Sequence, residues 1–119
     1  MIERSKKTNK SADLVLGQEI QSLLLVEKIF ADVPFVVLTS ELDVIKLRLK
    51  NVHMLMSAYF KAGDFDRVIR FLSQNTNSNL YIKDLINKLC QEPKLTDLDL
   101  QNYVLYILQL LGDSMLARN

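Results

Sequence analysis

Residues 54–74 read MLMSAYFKAGDFDRVIRFLSQ, two amphipathic helical patterns separated only by Ala62-Gly63-Asp64. Upstream of the break, Leu42, Ile45, Leu49, Val52, Leu55, Met56 and Tyr59 recur at three and four residues, one apolar stripe running to about Ala62. Downstream, Phe65, Val68, Ile69 and Leu72 repeat that spacing. Gly63 stands where a helix most readily ends in a left-handed residue, and Asp64 can accept hydrogen bonds from the free amides that open the next helix. The stretch reads as a tight helical hairpin, and it decides the fold class.

The same period extends in both directions. A first helix is expected from about Ala12 to Ala31, with Leu16, Ile20, Leu23, Leu24 and Phe30 inward; Pro34 ends it. The short run FVVL at 35–38 is expected to be a buried extended connection, and Ser40 an N-cap with Glu41 and Asp43 in the following first turn. Beyond the hairpin, Asn75-Thr76-Asn77-Ser78-Asn79 is a loop signal. A fourth helix runs from Asn79 to Gln91, with Leu80, Leu85, Ile86 and Leu89 inside and Cys90 in or near the core. Pro93 closes the next turn, and Thr96 with Asp99 three residues on resembles a capping box with Asp in place of Glu. The fifth helix carries Leu100, Tyr103, Val104, Ile107, Leu108 and Leu111 up to Gly112. Its apolar residues cover so much of the circumference that it must be either central to the core or docked on a partner. The expected architecture is all-α, about five helices in antiparallel hairpins forming a small stack.

With 119 residues, 49% of them apolar and 24% charged, the chain can bury one core without disulfide or metal staples. Residues 12–119 are read as that single helical domain. Residues 1–11, MIERSKKTNKS, hold four bases and one acid, leaving 11 Lys/Arg against 13 Asp/Glu in the remainder. That segment is read as a flexible basic arm, a secondary candidate for contact with nucleic acid or an anionic surface. The longest apolar run, Tyr103 to Leu108, is far short of the ~20 residues that span a bilayer. One cysteine and no leader pattern point to the cytoplasm.

Catalytic patterns are not found. His53 is the sole histidine and Cys90 the sole cysteine, too few for a Cys/His zinc site. DFD at 64–66 and DLD at 97–99 lack the remaining ligands of a calcium loop and sit where helices begin, so capping explains them. No phosphate-cradling glycine loop or nucleophile elbow is present. The expectation is a non-enzyme with no cofactor and no metal.

Residues 49–72 resemble a tetratricopeptide repeat. Leu55, Tyr59 and the segment YFKAGDF match the family's tyrosine-to-turn pattern, whereas Val52 replaces its tryptophan and Met56 and Val68 replace its two small residues. Larger residues there imply a wider or re-angled hairpin, and LQLLGDSMLA at 108–117 is a faint echo of the break. The resemblance implies that the hairpin's first helix lines a peptide-binding surface, at Lys50, His53, Ser57, Phe60 and Lys61. Where carboxylate-clamping members have asparagine this chain has Ser57, so a complete clamp is not implied.

Spacing alone also puts Lys46, Lys50, His53, Ser57 and Lys61 on one polar, basic face opposite the apolar stripe. The function expected is a non-catalytic protein-interaction module, an adaptor or complex subunit, taking a peptide or amphipathic helix, acidic ones included. Homo-oligomer and obligate hetero-complex are both open. A small secretion-type chaperone holding an aggregation-prone helix is the alternative, and nucleic-acid binding through the arm ranks below both.

Overall fold

The apolar stripe that ends at Tyr59 lies at the centre of the molecule. In the computed structural model, which describes residues 2–73, 82–91 and 97–118, it forms the buried side of α3 (Leu42–Lys61). Around α3 are α1 (Ile2–Ala31), α2 (Phe35–Ser40), α4 (Phe65–Ser73), α5 (Ile82–Gln91) and α6 (Leu98–Arg118). The fold is all-α, and among the described residues there is no strand. No described helix is long and apolar enough to cross a membrane.

α3 packs chiefly against α1 on one flank and α6 on the other, while α6 also packs along α4. Ile45, Leu49, Val52, Leu55 and Met56 are fully enclosed, and Leu23, Tyr59, Val68, Leu85, Leu100 and Ile107 meet them in one core. Leu42, at the start of the stripe, is 37% exposed because the chain has only just entered the helix there.

The α3–α4 hairpin forms as its residues require. Gly63 has φ of +74°, its amide donates to the Phe60 carbonyl at 3.0 Å, and the Asp64 amide donates to the Tyr59 carbonyl at 2.9 Å. These two bonds satisfy two carbonyls in the last turn of α3. Asp64 then accepts from the Arg67 amide at 3.4 Å, opening α4, and Arg67 Nε lies 3.1 Å from its other carboxylate oxygen. Tyr59 fills the seam beneath, with the Arg67 guanidinium 5.8 Å above its ring centre.

Several expectations are corrected. FVVL is not an extended connection: residues 35–40 are the short helix α2, and Val36 is 71% exposed. Pro34, at φ −56° and ψ 140°, stops α1 but also stands at the N-cap of α2, where a residue without an amide hydrogen loses nothing. Ser40 therefore ends α2 rather than starting α3; its hydroxyl donates back to the Val36 carbonyl. Glu41 takes the N-cap of α3, with no side-chain cap bond.

Cys90 is exposed, one position beyond the Leu85–Ile86–Leu89 side of α5 that faces inward. Gly112 does not end the last helix, which continues to Arg118. Its φ is not positive, Ser114 beyond it is fully buried, and Arg118 Nε pairs with Asp66 of α4 at 3.0 Å. Packing on α4 thus carries the helix through a residue that disfavours it by about 1 kcal/mol. The Gly-Asp echo at 112–113 accordingly makes no second hairpin. Leu80, Pro93, Thr96 and the 75–79 loop lie outside the described residues; within them, Asp97 opens α6, accepting the Asp99 amide at 2.8 Å.

Candidate partner-binding face of α3

The periodicity that gives α3 its buried side also gives it a polar one, with residues 46, 50, 53, 57 and 61 on successive turns. The structure divides this row in two.

The first part is engaged by α6. Lys46 Nζ pairs with the Asp97 carboxylate, a contact that holds the Lys46 ammonium above its ordinary range and the Asp97 carboxyl below its own. Asp97 thus joins the start of α6 to α3 while capping its own helix. His53 stacks on Tyr106 with ring centres 5.4 Å apart and 29° between planes; Tyr103 lies tilted at 6.4 Å. Desolvation pushes the half-buried imidazole below its ordinary value of 6.5, so at neutral pH it is an uncharged aromatic partner of α6 rather than a cation.

The second part remains at the surface. Lys50 and Lys61 are exposed and form no ion pair among the described residues, and half-buried Ser57 lies between them. Eleven residues of helix set the two lysines about 16 Å apart along the axis. Leu47 and Met54, 62% and 41% exposed, edge the row on the flank toward Asn51 and α1. Phe60 is half-buried and meets Phe65 edge-on at 5.2 Å, so it closes the hairpin as well as bordering the face.

The accessible remainder is therefore an interleaved strip of cations and apolar side chains. It can neutralise carboxylates and cover apolar surface. It contains no nucleophile paired with a base, and its histidine is committed to tyrosine stacking.

A buried polar cluster between α1 and α3 was not anticipated from the sequence. Arg48 Nη2 stands 3.5 Å from Glu27 Oε2, and Asn51 Nδ2 donates to Glu27 Oε1 and to the Leu23 carbonyl, each at 3.2 Å. Burial pushes the Glu27 carboxyl up, with Arg48 and Asn51 pulling it back; burial likewise lowers Arg48, which Glu27 offsets. The signal was present: Glu27 lies between Leu23 and Phe30, and Arg48 comes three residues after Ile45, in phase with the apolar stripes. A charge in phase with a core stripe needs a partner on the facing helix.

Comparison of the chain with protein-family models, with curated proteins and with solved structures finds no match.

Proposed function

We propose that this chain is a non-catalytic, cytoplasmic protein-binding module whose α3 face takes an acidic amphipathic helix or peptide of another polypeptide. One observation carries the reading: Lys50 and Lys61 stand exposed beside exposed Leu47 and Met54 on the most deeply packed helix of the molecule. A helix fixed by its core on the other side presents these groups from a backbone already ordered, which favours binding of a partner segment. The tetratricopeptide-like pattern at residues 49–72 supports the same surface.

A specific feature of α6 favours assembly into a larger complex. Leu98, Leu105 and Leu116 form an outward row, exposed in contrast to the Leu100–Val104–Ile107 side. An adaptor or subunit role accommodates that row, as does a chaperone that covers an aggregation-prone helix. Lys46 and His53 belong to the support of the face, since α6 engages both.

The test is paired affinity purification from the native source, with wild-type chain and Lys50→Glu/Lys61→Glu as baits. Polypeptides retained by the wild type and lost from the variant, with equal helical circular dichroism, are the expected result. Identical retained sets would reject the α3 face. Removing residues 1–11 serves as the control for polyanion binding through the basic segment.

A further inference from the structure

α1 has two faces. Leu16, Ile20, Leu23, Glu27 and Phe30 turn inward toward α3. On the opposite side Val15, Gln18, Ser22, Leu25 and Ile29 succeed one another at steps of three, four, three and four residues, all of them exposed, Leu25 at 60% and Ile29 at 66%. Leu14 and Val26 widen the row. Steps of three and four are the 3.5-residue period of a two-helix seam, and a solvated face would carry charge there instead. Ser22 at its middle donates its hydroxyl hydrogen to the Gln18 carbonyl at 3.1 Å, so covering it leaves no donor unmet.

Charge identifies what covers this seam. α1 runs antiparallel to α3, because Leu23 meets Asn51 while Glu27, further along, meets Arg48. The end where α1 finishes and α3 starts therefore gathers exposed Asp32, Glu41 and Asp43, with Asp97 and Asp99 close to Lys46. The other end of α1 is the segment 1–11, with four bases and one acid. The basic stretch and the exposed apolar row belong to the same helix.

We infer that a second copy of this chain occupies the seam, antiparallel, with Val15 against Leu25 of the second copy and Gln18 against its Ser22. A two-fold pairing of this kind lays each basic segment along the acidic end of the other copy, and every contact is made twice. A parallel pairing would set base against base and acid against acid. This interface faces away from α3 and does not depend on the binding face proposed above.

Sedimentation equilibrium of the full chain, over a micromolar concentration series at low and high salt, tests it. The mass is expected to rise toward twice 13.7 kDa and to fall back as salt screens the charged ends. Leu25→Glu with Ile29→Glu holds the chain at its monomer mass with unchanged helicity, while Leu105→Glu with Leu116→Glu on α6 leaves the dimer intact. In a Cys90→Ser background, Val15→Cys with Leu25→Cys gives a covalent dimer on mild oxidation. Val15→Cys alone gives none, since ten residues of helix, about 15 Å, separate it from its copy. A monomer at every concentration, including one that binds a different polypeptide through the seam, overturns the inference. So does a dimer that survives the Leu25 and Ile29 changes, a dimer lost on the α6 changes, or a disulfide through Val15 alone.

Discussion

Glu27 and Arg48 show how a single charged pair can decide more than a row of leucines. Both are almost wholly buried, 5% and 2% exposed; among the described residues Arg48 pairs with Glu27, and Glu27 also accepts a hydrogen bond from Asn51. Taking Glu27 away alone leaves an enclosed guanidinium, which stays cationic, without a counter-charge. Glu27→Gln should therefore destabilise the fold by about 3 kcal/mol, read by urea unfolding. Replacing both, Glu27→Leu with Arg48→Met, should recover most of that loss, because the pair and the cost of desolvating it disappear together.

At the scale of the element, two glycines that look alike in the sequence behave in opposite ways. Gly63 has φ of +74°, a conformation that disfavours any residue with a Cβ even though nothing crowds the position. Gly63→Ala should cost roughly 1–2 kcal/mol of stability. Gly112 lies inside α6 with open space where a Cβ would go, and Gly112→Ala should stabilise by about 0.5–1 kcal/mol. Thermal melts of the two variants should move in opposite directions. A fall in melting temperature for Gly112→Ala would mean that α6 bends or ends there. The reason for the contrast is tertiary. Both glycines are followed by aspartate, yet only Gly63 precedes a segment whose apolar side must fold back on α3; the residues after Gly112 continue along α4.

For the whole molecule, α6 is the element that joins the parts. It packs on α3 and α4 together, supplies Leu100, Val104 and Ile107 to the core, and holds Lys46 and His53 in place through Asp97, Tyr103 and Tyr106. A chain ending at Gln91 should lose cooperative unfolding, because α3 and α4 would then expose the side that α6 covers. The measurement is loss of a sigmoidal melt with much of the helical signal retained. A truncated chain that still melts sharply would show that α1, α3 and α4 are sufficient by themselves. The same element explains why the expected binding row was only partly legible. Lys46, Lys50, His53, Ser57 and Lys61 share a helix face by spacing, but spacing cannot say that another helix will lie along two of the five.

Local chemistry in the chain was enough to determine the helical class, the buried stripe of α3 and the reversal at Gly63, since each depends on residues within a few turns of one another. The helical state of FVVL, the passage of α6 through Gly112, the exposure of Cys90 and the enclosure of Glu27 with Arg48 were decided only when distant helices packed. Periodicity specifies which side of a helix is apolar; it carries no information about which neighbour arrives to cover it, or how far along.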